Sequence, residues 1–432
     1  MAIVDSEAAP ADEVVTLGTW LRFLVGSREA ILRVARSRQA LWLGLAFVLS
    51  TGFAREYDGA DLWHEPWHLL LPLLASLGTS LILWTIVYIA AGNRGLEKME
   101  YWSGYRTLLT LYWLTAPLAW VYAIPVERLL PPGDAMAANF YFLGLVSLWR
   151  VLLITRALSV WLSANFFAMF FLVAFFADSV AIVLAVASPM PLFNIMGGIR
   201  HSAVDRVVLD VILGARFYGI ASWLIWLVGA IVVFARRAPW SLPLEGANAR
   251  VSSLLWVFAV ALIVGGVLLL RVGQSEQRHA YEAAKLLHAN QLEAAIEYMS
   301  HFQREAFPPI WDPPPRVGYG EQTPSLVDIL KAIESQNPPA WVRELFVSKL
   351  TQDPRSTFDN VWPRGEDDST DRLEELLGVY EEFVPAVSLD RQQWEDLYLM
   401  NEHRPFDTLR KRFGEYLMKD RKPAKTVDQA PN

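Results

Sequence analysis

Two sets of residues in this chain have the types and spacing that chemistry needs. His64-Glu65-Pro66-Trp67-His68 carries the letters HExxH. In that motif two His at i and i+4 share one helical face and bind zinc, while the Glu activates water. Here Pro66 lies between them. It lacks an N–H and its ring clashes one turn back, so a continuous helix across His64–His68 is disfavoured. Pro66 suits the first position of a helix better. Trp63, His64, Trp67 and His68 then read as an interfacial belt. The second set is Arg150 and Asp178, two charges inside otherwise apolar runs. A charge near a bilayer centre costs at least ~2.5–3.5 kcal/mol, so such groups take partners. In an antiparallel hairpin their axial offset is roughly 9 Å, which a guanidinium on its long stem can largely close. The expectation is an intramembrane ion pair, Arg150 with Asp178; the alternative is a polar path for a proton or substrate.

Two weaker clusters remain. Arg55-Glu-Tyr-Asp58, with Asp61 and Glu65, forms an acidic loop read as a solvated segment. His201, Asp205, Arg206 and Asp210 read as the polar side of an interfacial helix. There is no Walker loop, no GxSxG and no dinucleotide fingerprint.

The elements that must position these residues are apolar helices. Ala137–Thr155 and Ala164–Ser188 are each long enough to cross a bilayer core, which takes ~20 residues. Gln39–Ala54, Trp67–Ala91, Trp102–Ile124 (kinked at Pro117), Phe217–Ala235 and Val251–Leu270 complete about seven expected spans. Ser202–Ala215 is expected as a separate interfacial helix. Val15–Arg38 mixes apolar residues with Arg22, Arg28, Arg33, Arg36 and Arg38. It reads either as a basic helix on an anionic membrane face or as a helix packed on the bundle.

Arginines and lysines concentrate in every second connection, with Arg55, Arg128, Arg200, Arg206 and Arg216 as exceptions on the other side, so the amino end is expected in the cytoplasm and the tail outside it. The formal charge is −7 overall and about −9 after Arg271, leaving the front slightly basic. An acidic tail argues against nucleic acid as a partner. The chain has no cysteine, which excludes disulfides, thiolate zinc sites and iron–sulfur clusters.

The expected fold is all-α. Residues 1–38 form an amphipathic cytoplasmic segment, 39–271 a transmembrane helical bundle, 272–420 a soluble α-helical domain and 421–432 a disordered tail. The tail is punctuated by Pro308–Pro315, with helical patterns at Ser325–Ser335, Pro339–Leu350, Asp371–Phe383, Asp390–Asn401 and Phe406–Met418.

Tyr101-Trp-Ser-Gly-Tyr-Arg106, then Ala116-Pro117, then Leu148-Trp149-Arg150 through Arg156-Ala157-Leu158 resemble the Yip1-domain family of five-span membrane proteins over residues 39–188. The resemblance implies a membrane fold and, for eukaryotic members, a tie to vesicle traffic and small GTPases. Two further spans and a large tail depart from that pattern. Ser275–Phe302 resembles one tetratricopeptide-type hairpin, through Tyr281, Ala284, Leu287, Asn290-Gln-Leu-Glu-Ala-Ala-Ile296 and Tyr298.

Three functions are consistent with these residues. The favoured one is a non-enzymatic scaffold or assembly factor in the cell membrane, in contact with lipid, that needs no cofactor or metal. Its tail binds a protein partner outside the cytoplasm. The second is a small transporter using Arg150 and Asp178. The least supported is a membrane zinc hydrolase at His64, Glu65 and His68.

Overall fold

The computed structural model describes residues 13–54, 61–91, 100–187, 203–236, 240, 248–273, 275–309, 311–315 and 324–352. Arg55–Asp58, His201 and the expected helices beyond Gln352 lie outside these residues. The described chain is helical, as its composition requires. A two-stranded parallel ribbon, Val14–Val15 with Arg250–Val251, was not anticipated.

The chain divides into two compact units. The first runs to Arg278, a little beyond the expected 271/272 boundary, and takes in 308–310; the second takes the rest from His279. In the first unit, α1 (Leu17–Leu24) and α2 (Arg28–Arg36) turn at Gly26, whose φ of 77° suits a residue without Cβ. They are followed by α3 (Gln39–Gly52), α4 (Leu71–Ala91), α5 (Tyr101–Trp113), α6 (Pro132–Trp161), α7 (Phe166–Ala187), α8 (Ala203–Arg236) and α9 (Ser253–Gly273).

Among the described residues four helices are long and apolar enough to cross a membrane: Pro66–Ala91, Pro132–Trp161, Phe166–Ala187 and Arg206–Arg236. The first and seventh expected spans are shorter apolar helices, Gln39–Gly52 and Ser253–Leu268. The third is not one α-helix. Pro117 cannot donate to the preceding turn, so α5 stops at Trp113 and Ala116–Ala123 continues as 3-10 helix. The expected interfacial helix is not separate either. No proline interrupts residues 203–236, and lone glycines such as Gly214 are tolerated, so it merges with the sixth span into the 34-residue α8.

The basic amino-terminal segment packs on the bundle. Trp20, Phe23, Ile31 and Val34 are buried in one core with Phe47, Trp84, Leu108, Leu158 and Trp161. Trp20 also donates its indole N–H to the carbonyl of Leu114 at 3.1 Å. The turn between α6 and α7 is tight: Ser163 is left-handed, and the Asn165 side chain caps α7 through the Phe167 and Ala168 N–H groups. Outward faces remain apolar, as at Leu74, Ile82, Leu145, Phe167, Leu184, Phe217, Leu224, Val228 and Val257. A surface this apolar over several helices is not that of a monomer in water.

The second unit is built on two helical hairpins. α10 (Ser275–His288), whose first turn belongs to the first unit, turns into α11 (Leu292–Ser300) through left-handed Asn290. α12 (Leu326–Gln336) turns into α13 (Ala340–Gln352) through left-handed Asn337. Asparagine tolerates this conformation at a helix end. Ala283, Leu287, Ala295, Ile296, Met299, Phe307, Ile333, Val342 and Phe346 form a separate core. Ala283 and Ala295 are buried in this core, whereas Ala284 is half-buried and Ala294 exposed.

Candidate functional site

The polar groups that stand out lie inside the apolar helices. Arg150 is on α6, half-buried, with its guanidinium carbon 4.9 Å from the centre of the Tyr112 ring. Its Nε donates to Thr115 Oγ1 at 3.1 Å. Thr115 donates in turn to the Tyr112 carbonyl at 2.7 Å, and Tyr112 Oη sits 3.5 Å from Thr79 Oγ1 on α4. The break that Pro117 imposes at the end of α5 leaves Thr115 outside regular helix, where its hydroxyl meets Arg150.

Asp178 forms a second station, between α7 and α8. Ser222 Oγ donates to its carboxylate at 2.5 Å. Next to it, Trp223 Nε1 donates to Ser179 Oγ at 2.8 Å, and the Phe175 ring lies tilted against Trp223 with centres 5.5 Å apart. Gly219 lets the helices approach here: a Cβ on it would lie 3.2 Å from Ile182 and 3.4 Å from Asp178 Oδ1. Arg216, one turn away on α8, is committed to the carbonyls of Ala185 and Val186 at the end of α7.

Among the described residues no ion pair joins Arg150 to Asp178. The sequence expectation paired them because it had only their depth to go on. Each instead takes neutral partners on a different neighbour, Arg150 on the 112–115 segment and Asp178 on α8. Thr115, Tyr112 and Ser222 were missed as partners. A hydroxyl inside an apolar helix gives a weak signal, since most such groups bond their own helix, as Thr110 does to the Arg106 carbonyl.

His64 and His68 do not share a helical face. His64 is in a turn and its Nδ1 meets Asp61 Oδ2; His68 lies in the 3-10 helix Pro66–Leu70, its Nε2 3.4 Å from Glu65 Oε2. Pro66 opens that helix, as its lack of an N–H favours. Each imidazole thus has its own carboxylate, and Glu65 is engaged with His68 rather than standing between two metal ligands. Asp61 is not solvated, as the acidic-loop reading held, but 2% exposed; its other oxygen accepts the Trp63 N–H at 3.0 Å. Asp210 lies on the exposed side of α8.

In the second unit, Lys349 is buried. Its ammonium donates to Asp312, to the Pro313 carbonyl at 2.7 Å and to the Pro315 carbonyl at 3.0 Å. It ties the proline-rich strap to α13. Tyr298 Oη lies 2.8 Å from His279 Nδ1. Burial chiefly, and Glu282 secondarily, hold the Tyr298 hydroxyl above its ordinary pKa.

No family model matches the chain, and no curated protein or solved structure matches it.

Proposed function

We propose that the chain is a multi-pass membrane protein with about seven crossings. Its amino end is cytoplasmic, and its helical tail binds a protein partner outside the cytoplasm, as a scaffold or assembly factor would. The kinship with the Yip1-domain family and with tetratricopeptide hairpins belongs to the same proposal and rests on the residues quoted for it.

One observation carries the reading: contacts within the first unit sort its connections onto two ends. At one end, Val14–Val15 pairs with Arg250–Val251, the Arg38 N–H bonds Asn248 at 3.0 Å, and Arg156 reaches the Gly26 carbonyl. At the other, Phe53, Leu62, Trp120 and Leu270 cluster, and Arg128 pairs with Glu276 at 3.1 Å. The amino end, the end of α6 and the start of α9 thus share the first end. The connections after α3, after the 3-10 helix and after α9 share the second. That alternation is what about seven crossings require. Arg22, Arg28, Arg33, Arg36, Arg38, Arg156 and Arg250 belong to the first end, which supports its cytoplasmic placement.

The transporter reading would need Arg150 and Asp178 on one path, and their separate partners disfavour it. The separate carboxylates of His64 and His68 disfavour zinc hydrolysis. A photo-crosslinking residue in place of Glu293, on the exposed side of α11, tests the scaffold reading in intact cells. The expected result is one reproducible adduct with a protein exposed outside the cytoplasm. Adducts only with cytoplasmic proteins, or none, would overturn it.

A further inference from the structure

Arg150 is a cation without a carboxylate. Its Nε is used by Thr115 and its face by Tyr112, both neutral. Among the described residues its two terminal nitrogens have no acceptor. A guanidinium placed in this way has its end-on fork free, the geometry that receives an oxyanion through two parallel bonds.

Its depth can be read from neighbouring helices. A Cβ on Gly44 would lie 2.8 Å from Trp113 Cβ, and Gly44 is five residues inside the start of α3. At 1.5 Å per residue, that level is about 8 Å below Gln39. Thr115, which holds Arg150, is two residues further along. On α6 itself Arg150 is eleven residues, about 16 Å, from the end at Trp161, and six residues, about 9 Å, below Arg156, which reaches the Gly26 turn. Measured from that turn, the charge is within reach of headgroups for a side chain that snorkels. Trp149 marks the same level: it is exposed, its indole donates to the Leu24 carbonyl at 2.9 Å, and exposed Trp concentrates where chains meet headgroups.

The charge around the Gly26 turn is mostly positive. Arg22 and Arg28 are exposed on either side of the Gly26 turn, and exposed Arg156 reaches the Gly26 carbonyl. Of the carboxylates on α2 and before α1, Glu29 pairs with Arg33 and Glu13 with Arg36; Glu100 is exposed at the start of α5. The outer side of α6 beside Arg150 is apolar, through exposed Leu148 and Leu152. A ligand for this place has an anionic oxygen group and hydrocarbon next to it.

We propose that Arg150 holds the phosphate of an anionic phospholipid drawn from the leaflet that borders α1 and α2, with Leu148 and Leu152 against its acyl chains. The proposal rests on the reading that the chain crosses a bilayer. It makes Arg150 a lipid-binding residue rather than half of an ion pair.

The test uses the full chain in nanodiscs of phosphatidylcholine with or without phosphatidylglycerol, followed by native mass spectrometry after detergent release. Wild type should retain phosphatidylglycerol and melt higher in its presence. Arg150→Gln should lose about tenfold or more in retention, with no rise in melting temperature. Arg150→Lys keeps the charge without the fork and should fall several-fold; it decides the matter if Arg150→Gln does not fold. Asp178→Asn, at the other station, should retain lipid like wild type. Equal retention in wild type and the Arg150 variants would overturn the proposal. So would a rise in melting temperature reproduced by inorganic phosphate alone, which would assign the station to a soluble phosphate. A protein that never enters nanodiscs would instead overturn the membrane reading beneath it.

Discussion

Replacing Lys349 by Met should loosen the second unit more than any exposed substitution there. Lys349 is 1% exposed and its ammonium donates to Asp312 and to the carbonyls of Pro313 and Pro315. Met keeps most of the stem volume and removes every donor. Hydrogen bonds from a charged donor contribute about 1.5–3 kcal/mol each, so the two carbonyls account for about 3 kcal/mol or more. Asp312 is half-exposed, rehydrates and adds little. Against a typical domain stability of about 5–15 kcal/mol, a loss of about 3 kcal/mol is large. Hydrogen exchange on the intact purified protein reads it directly. Amides of α12 and α13 that exchange through opening of this unit should exchange about a hundredfold faster. Lys285→Met is the control, since Lys285 is exposed and its pairing with Glu282 at 3.5 Å contributes about 0–1 kcal/mol. Indistinguishable exchange in the two variants would refute the view that Lys349 ties the strap to the helices.

Other expectations follow from the bundle and the tail. In a double-mutant cycle of Arg150→Met and Asp178→Met, read by thermal melting in detergent, the coupling should stay within about 0.5 kcal/mol, because the two share no partner; coupling above about 2 kcal/mol would restore the ion pair. Gly229→Ala would drive a Cβ into the Phe171 ring, so it should destabilise by about 1–3 kcal/mol. Gly214→Ala meets nothing within 4 Å and should be neutral or stabilising by up to about 1 kcal/mol. Alkaline titration followed by hydrogen exchange in α11 tests Tyr298. Its folded pKa is raised above the ordinary 10.0, so above that pH the folded state holds the proton that the unfolded chain releases. Its contribution is complete below pH 10 and falls as pH rises through the folded value; Tyr298→Phe should remove that dependence.

What the sequence made legible was burial by length. Unbroken apolar runs without proline, such as Phe166–Ala187, became helices close to their expected bounds. Breaks were harder to read. Pro117 was expected to kink a span, and it ends the α-helix instead, because the following residues accept 3-10 geometry. The join at Ala215–Phe217 was drawn where polarity changes, but a change of polarity does not stop a helix, and α8 runs through it. The second hairpin was invisible as a repeat because its letters differ from the first; the shared feature is conformational, an asparagine in the left-handed region at each turn. Partners of the buried charges were illegible for a related reason. Hydropathy gives the depth of Arg150 and Asp178 but not their azimuth, and azimuth decides whether a charge meets its opposite or a hydroxyl on another neighbour.

The central claim is that the two ends of the first unit face opposite sides of a membrane. The chain has no cysteine, so one introduced thiol can be labelled alone. Glu29→Cys on α2 and Asp134→Cys at the start of α6 replace exposed residues at the two ends of this unit. With a membrane-impermeant maleimide on intact cells, Asp134→Cys should label at once and Glu29→Cys only after permeabilisation. Labelling of both thiols alike, before permeabilisation or only after it, would contradict the claim.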